Sequence, residues 1–93
     1  MKNEFKDESD LLKVIAHPVR LKIIDLLLLK LPIEVCSVNT LQQRLNIPQP
    51  TISQHLQLLK RHGIIEGSKK GVQVCYRIVD KRVVKILEIL KKK

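Results

Sequence analysis

The sequence predicts a mainly α-helical domain with one β-hairpin, in the order helix, helix, helix, helix, hairpin, helix. Apolar residues recur at helical spacing in five segments, prolines and glycines separate these segments, and one run near the C-terminus alternates apolar with mostly polar residues. The chain of 93 residues has the length of one small domain. We therefore expect a single domain over residues 1–93.

The first two predicted helices meet at His17-Pro18. Apolar residues keep helical spacing over residues 8–16, and Ser9 or Asp7 can cap the start. The residue before a proline is pushed out of the α region, so the first helix ends there, and the proline suits the first turn of the second. The second helix runs to about Leu29 and is apolar on all sides of its last turn, which indicates burial at the domain centre or against a second chain.

Residues 37–63 predict two helices joined by a short turn. Ser37 is the expected N-cap of the shorter helix, and Asn46 suits a left-handed conformation at its end. Pro48 and Pro50 can stand only at the start of the following helix, which runs to Gly63. This arrangement predicts a helix-turn-helix.

A wing is predicted over residues 64–79 as a β-hairpin. It consists of a strand at 64–67, a tip at 68–71 and a returning strand at 72–78. A last helix follows at 80–91, capped by Asp80, with its inward side formed by Val83, Val84, Ile86, Leu87 and Leu90. Two helices joined by a short turn and followed by a β-ribbon define a winged helix-turn-helix.

The charge and the aromatic content favour double-stranded DNA as a partner. The chain carries 18 Lys and Arg against 9 Asp and Glu, a net charge of +9, and its aromatic residues are Phe5 and Tyr76. Proteins that hold single strands stack the bases on several aromatic rings, whereas contacts with duplex phosphates need only basic and polar side chains. Of the basic residues, five fall in residues 41–72 against one acid, and six in residues 80–93 against two.

The sequence lacks the patterns that are typical of membrane proteins, secreted proteins and enzymes. The apolar stretch at 23–35 is interrupted by charged residues and a proline, well short of the ~20 residues that a membrane span requires. No signal-peptide pattern opens the chain, and two cysteines are too few for a secreted disulfide scaffold, so we expect a cytoplasmic protein. No nucleophile-base pair, paired carboxylates or glycine-rich phosphate loop is found, and we expect neither an enzyme nor a cofactor.

Three segments of the chain resemble the ArsR/SmtB family of bacterial winged-helix repressors. They are Ala16-His17-Pro18-Val19-Arg20-Leu21, residues 47–56 ending in Ser53-Gln54-His55-Leu56, and residues 71–78. The resemblance extends from about residue 8 to 90. It implies a homodimer with residues 8–16 and 80–91 at its interface, DNA docking by the third and fourth helices, and release of the operator on ligand binding or oxidation.

The helix after Pro48 holds the candidate DNA-reading residues. Gln can pair bidentately with adenine, and Ser and Thr bind bases or phosphates. The predicted contacts come from Gln49, Thr51, Ser53, Gln54 and His55. The same residues are also typical of the solvated face of an amphipathic helix. Proline can neither cap with a side chain nor donate an N–H, which argues against a backbone contact with phosphate at Pro48.

Two lysines at the wing, Lys69 and Lys70, are predicted to reach a phosphate or the minor groove. A charged tip is also what any exposed hairpin carries. Their position after the helix-turn-helix favours the DNA-binding interpretation. Neutralised phosphates would make binding salt dependent, with log K falling by roughly 0.9 per contact per decade of salt.

The metal sites of the family are incomplete in this sequence. Val38 stands where a second cysteine would follow Cys36, and Arg82 where a histidine would follow Asp80. One thiol or one carboxylate cannot fill a zinc shell, so we predict no metal site. Cys36 and Cys75 remain candidates for a thiol redox switch, the alternative being that each is a small buried hydrophobe.

The sequence thus predicts a homodimeric transcriptional repressor that binds a pseudo-palindromic operator in double-stranded DNA. The alternative function is that of a winged-helix protein-interaction module. Such a module would pair with another regulator through the apolar surfaces at residues 26–29 and 83–90.

Overall fold

The computed structural model describes residues 4–29 and 37–92. Over these residues, five helices and a two-stranded antiparallel sheet follow one another in the predicted order. The helices are α1 Lys6–Ile15, α2 Pro18–Leu28, α3 Val38–Leu45, α4 Gln49–Arg61 and α5 Lys81–Lys91, and the strands are β1 Ile65–Lys70 and β2 Gln73–Ile78. The predicted fold class is confirmed. No helix in the described ranges is long and apolar enough to cross a membrane.

Helix α1 begins earlier than its sequence pattern predicts. Its N-cap is Phe5, which makes no side-chain capping hydrogen bond, so the prediction of a cap at Asp7 or Ser9 is wrong. Asp7 stands instead in the first helical turn, where a carboxylate interacts favourably with the helix dipole. Lys6 Nζ also lies 3.0 Å from Asp10 Oδ2, one turn further on. These interactions stabilise the first turn of α1, which the spacing of apolar residues does not predict.

Helix α2 is the centre of the fold. It contacts α1, α3, α4, α5 and β2, and its Ile23 and Ile24 side chains have no exposed surface. Its N-terminus is capped by His17, whose Nδ1 accepts a hydrogen bond from the Val19 backbone N–H at 3.1 Å. Pro18 occupies the first turn, as predicted. The central position explains why this helix is apolar on nearly all sides.

The local signals of the helix-turn-helix are also confirmed. Ser37 Oγ accepts a hydrogen bond from the Thr40 backbone N–H at 3.4 Å, and Asn46 ends α3 in the left-handed region with φ 55° and ψ 46°. Residues 46–48 separate α3 from α4. The α4 helix ends at Arg61, two residues before the predicted Gly63.

The wing has a longer hairpin and a tighter turn than predicted. Antiparallel pairing continues to Lys70 and Gln73, so the turn contains only residues 71–72 and the predicted tip at 68–71 is wrong. Gly71 has φ 62°, and a type II′ turn places a glycine in this conformation at its first position. Only the first residue of β1 is buried. The strand therefore lacks the apolar alternation by which its full length could be recognised.

The hydrophobic core draws on every helix and both strands. Its buried members are Leu11, Val14, Ile15, Ile23, Ile24, Leu27, Leu41, Ile52, Leu56, Leu59, Ile64, Ile65, Tyr76, Val83 and Leu87. Of the residues predicted to face inward on α5, Val83 and Leu87 are buried in the core and Ile86 packs against it. Val84 is half-buried outside this cluster, and Leu90 is 64% exposed. The prediction for Leu90 is therefore wrong.

The turn between α3 and α4 depends on the left-handed residue Asn46. Replacing it by valine is expected to lower the free energy of unfolding by about 1–2 kcal/mol, because a β-branched side chain clashes with its own backbone there. Asn46→Gly is the matched control and should be nearly neutral. Urea denaturation measures both variants, and equal losses would contradict a conformational origin of the effect.

Candidate nucleic-acid interface

Helix α4 presents one face to the core and the opposite face to solvent. Ile52, Leu56 and Leu59 are at most 1% exposed and attach the helix to the domain. All five predicted DNA-reading side chains are at least partly exposed: Gln49 and Gln54 are exposed, and Thr51, Ser53 and His55 are half-buried. Among the described residues, no hydrogen bond engages the Gln54 amide. Its donors and its acceptor are thus available to a ligand.

A shallow surface groove of about 510 Å³ lies along this face of α4. It is lined by Arg20, Ser53, Gln54, His55, Gln57, Leu58 and Arg61. Arg20 comes from α2 and was not among the residues singled out as DNA-binding. Its signal in the sequence was a charged residue in the Ala16–Leu21 string, near the start of a helix that is otherwise mostly apolar.

Arg20 connects three elements beside this groove. Its Nε donates a hydrogen bond to the backbone carbonyl of Val14 in α1 at 2.5 Å. Its Nη1 lies 3.4 Å from His55 Nδ1 on α4. The His55 ring also lies against His17, with ring centroids 4.7 Å apart and planes inclined by 52°. The two sequence strings that carry the family resemblance therefore meet in space.

Burial lowers the pKa of His55 below its ordinary value of 6.5, and electrostatic interactions with His17 and Arg20 lower the pKa further. The imidazole is therefore largely neutral at pH 7. Because the unfolded chain binds this proton more readily, the contribution of His55 to stability is fully present above about pH 6.5. That contribution decreases as the pH falls below the unfolded-state value.

The wing carries its outward positive charge on two lysines. Lys69 and Lys70 are exposed, and within the described residues neither forms an ion pair with an acidic side chain. Arg77, in contrast, is paired with an acidic residue. Its Nε donates to Glu66 Oε1 across the hairpin at 2.7 Å, and its Nη2 donates to the same oxygen. The strand positions of the lysines put their side chains beside the turn rather than within it.

Further positive charge borders the helix-turn-helix. Arg44 in the last turn of α3 and Lys60 and Arg61 in the last turn of α4 are all exposed. Pro48 is the N-cap of α4 and makes no side-chain capping hydrogen bond, as its chemistry predicts. The Pro48 carbonyl instead accepts from the Thr51 backbone N–H at 3.1 Å.

The cysteines were predicted as candidate redox residues. Cys75 is half-buried on β2 and is disulfide-bonded. Cys36 lies outside the described residues. Over residues 4–29 and 37–92, no group of three or more His, Cys, Asp and Glu side chains could hold a metal ion.

Helices α1 and α5 expose large apolar side chains to solvent. On α1, Phe5 is 71% and Leu12 51% exposed, and on α5, Ile89 is 70% and Leu90 64% exposed. A separate groove of about 890 Å³ lies between the end of α2, β2 and α5. Lys91 Nζ, on its lining, is 2.5 Å from Asp25 Oδ1.

Comparison with known proteins identifies a common class. The sequence model of a helix-turn-helix domain family matches residues 15–68, more than half of the chain. The HTH-type transcriptional repressor SmtB of Mycobacterium tuberculosis is 37% identical over 79 residues, which cover 85% of this chain and 56% of that protein. The chain thus spans little more than half the length of that repressor. An uncharacterized HTH-type transcriptional regulator of Methanocaldococcus jannaschii is 36% identical over 87 residues, 94% of each chain.

The fold is similar to solved structures as well. HlyU from Vibrio cholerae superposes with a TM-score of 0.81 at 31% identity, over 97% of this chain and 94% of that one. The fold and the exposed face of α4 define a winged helix-turn-helix protein. The chain belongs to the ArsR/SmtB family of transcriptional regulators. The relatives named here are regulators rather than enzymes, in agreement with the expected absence of catalysis.

Proposed function

We propose that this protein is a sequence-specific regulator that binds double-stranded DNA, acts as a repressor in the cytoplasm, and functions as a homodimer. The observation that carries the proposal is the uncharged hydrogen-bonding face of α4, exposed beside a wing with two unpaired lysines. An uncharged polar face can distinguish base edges, whereas lysines attract any phosphate. This domain presents both an uncharged polar face and exposed lysines.

The dimensions of α4 suit the major groove. Its 13 residues extend for roughly 20 Å, and a B-DNA major groove about 12 Å wide admits one α-helix. Recognition helices contact base edges mainly through their N-terminal residues. In this pose Gln49 and Gln54 pair with adenine, Thr51 and Ser53 contact bases or phosphates, and His55 lies at the edge of the contact.

The homodimer is supported by the exposed apolar side chains of α1 and α5. Phe5, Leu12, Ile89 and Leu90 are all more than half exposed. Clustered exposed apolar side chains mark interaction sites, and a second copy would remove them from water. Two-fold symmetry would set the two α4 helices in major grooves about 34 Å apart on a pseudo-palindromic operator. Repressor is the term used for the M. tuberculosis relative.

Gel-shift titration tests the proposed function. The duplex is the region upstream of the protein's own gene, and the control is an unrelated duplex of equal length. We expect tighter binding to the upstream duplex, together with affinity that falls as salt rises. Affinity that ignored both the sequence and the salt concentration would refute the proposal.

The exposed face of α4 is expected to provide sequence specificity, and the wing is expected to provide sequence-independent attraction to phosphates. Gln54→Ala should weaken operator binding by about 1–3 kcal/mol and leave non-specific binding nearly unchanged, because it removes a base contact. The Lys69→Ala/Lys70→Ala double variant should weaken both kinds of binding. It should also reduce the salt slope of log K by up to about 1.8, from two phosphate contacts. Equal losses in the two variants, measured by gel shift, would contradict this division.

Redox control of DNA binding is a second candidate function, favoured by the disulfide bond at Cys75. Cys75 lies on β2, the strand that pairs with the lysine-bearing β1. Its reduction would free this strand from a covalent constraint and alter the phosphate contacts of the wing. A thiol reductant should therefore change the operator affinity of the wild type but not of Cys75→Ser. The same response in both proteins would exclude a role for Cys75, and Cys36→Ser tests the other cysteine.

A further inference from the structure

The cluster of Arg20, His17 and His55 joins α2 to the DNA-facing helix. We propose that Arg20 is a positioning residue of the DNA interface, which holds His55 as a neutral imidazole with its proton on Nε2. The proposal rests on the proposed DNA-binding function and adds one specificity-determining contact to it. It also predicts that α4 offers a neutral N–H donor, suited to an acceptor on a base edge, rather than an imidazolium suited to any phosphate.

The first step is the fixed position of the guanidinium. Arg20 Nε donates to the Val14 carbonyl in α1 at 2.5 Å. A guanidinium is planar, so this contact also limits where its other nitrogen atoms can lie. Nη1 is then 3.4 Å from His55 Nδ1. The histidine is thus oriented by a residue 35 positions earlier in the chain, through a side chain tied to α1.

The second step concerns which nitrogen atoms of Arg20 and His55 carry protons. A guanidinium carries only donors and does not lose its proton in proteins. The His55 Nδ1 atom can therefore only accept in this contact, and a neutral imidazole with an accepting Nδ1 carries its proton on Nε2. A protonated His55 would turn an N–H toward another donor and lose the contact.

The third step is the charge around the ring. His17 Nδ1 accepts from the Val19 backbone N–H, and this contact holds the His17 ring beside the His55 ring. The titratable and charged groups that act on His55 from the adjoining corner and α2 are His17 and Arg20, with no carboxylate among them. Arg61, from α4 itself, is the other charged residue that lines the groove. Burial, His17 and Arg20 each disfavour a positive imidazole at His55 and favour its neutral form.

The functional consequence concerns discrimination between bases and phosphates. A neutral Nε2–H donor can bind acceptors that differ among base pairs in the major groove, such as guanine O6 and N7. An imidazolium would add attraction to every phosphate and would reduce the ratio of operator to non-specific affinity. The preference for the operator should therefore fall when acidification protonates His55.

Nitrogen-15 NMR of the free chain tests the proposal without DNA. In the wild type, we expect Nδ1 of His55 to be unprotonated, Nε2 to carry the proton, and the pKa to lie below 6.5. In Arg20→Met, the tautomer preference should weaken and the pKa should rise. Lys22→Met removes an exposed positive charge from the same helix and should change neither. Arg20→Lys keeps the charge but not the planar geometry, so it should keep part of the pKa effect and lose the tautomer preference.

DNA binding supplies the second readout. Arg20→Met should lower the ratio of operator to unrelated-duplex affinity about fivefold, the lower end for loss of a base contact. The pH at which this ratio declines should also rise.

A wild-type His55 with its proton on Nδ1, or an Arg20→Met protein with unchanged tautomer and pKa, would overturn the role of Arg20. If Arg20→Met does not fold, the wild-type tautomer and Arg20→Lys still decide. The expected tautomer without any DNA binding would instead refute the proposed function.

Discussion

Replacing Ile52 by alanine is expected to lower the free energy of unfolding by about 2–5 kcal/mol. Ile52 has no exposed surface and lies on the side of α4 that faces the core. The truncation removes buried apolar surface and leaves a cavity that the closely packed neighbours fill only in part. A domain of this size has a total stability of only about 5–14 kcal/mol, so the loss is a large share.

The control for Ile52→Ala lies on the same helix. Gln57 is exposed, and Gln57→Ala should change the free energy of unfolding by less than about 0.5 kcal/mol, because alanine is a good helix former and no core contact is lost. Urea denaturation followed by circular dichroism compares the two variants. Similar stabilities for both would contradict the position of Ile52 in the core.

Replacing Leu12 by glutamate is expected to produce a monomer that binds the operator at least ~100-fold more weakly, because the second half-site no longer binds intramolecularly. Leu12 is 51% exposed on α1, where a carboxylate in the free chain remains in water. In a dimer, the same carboxylate would be buried without a partner. Light scattering measures the mass, and gel shift measures the affinity.

Leu12→Met provides the matched control, since it keeps an apolar side chain of similar volume. It should remain dimeric and bind with nearly wild-type affinity. A wild-type protein that is a stable monomer in light scattering would contradict the homodimer. That result would favour the protein-interaction module predicted as the alternative from the apolar surfaces at residues 26–29 and 83–90.

Local sequence signals predicted those parts of the fold that depend on neighbouring residues. Ser37 and Asn46 identified the ends of α3 because a side-chain cap and a left-handed residue act within one helical turn. The wing was less predictable, since β1 has only its first residue buried and therefore lacks the apolar alternation by which a strand is recognised. Leu90 fits the helical spacing of core residues, but periodicity cannot distinguish a core face from an exposed apolar one.

Helical spacing likewise predicted only part of the candidate site. The spacing of polar residues identified the solvent-facing side of α4, because helical periodicity alone defines it. The contact of His55 with Arg20 could not be predicted in that way. It joins residues 35 positions apart and depends on how α2 packs against α4. Helical spacing therefore predicts a candidate interface on α4 but not the contact of Arg20 with His55.

Selection of binding sites from a random pool of duplex DNA tests the central claim most directly. The purified chain is incubated with the pool at near-physiological salt, and the bound fraction is amplified and sequenced over several rounds. We predict enrichment of an inverted repeat whose half-site centres lie about 10–10.5 base pairs apart, as two α4 helices related by two-fold symmetry require. A bound pool without any enriched sequence would contradict the claim that α4 reads bases.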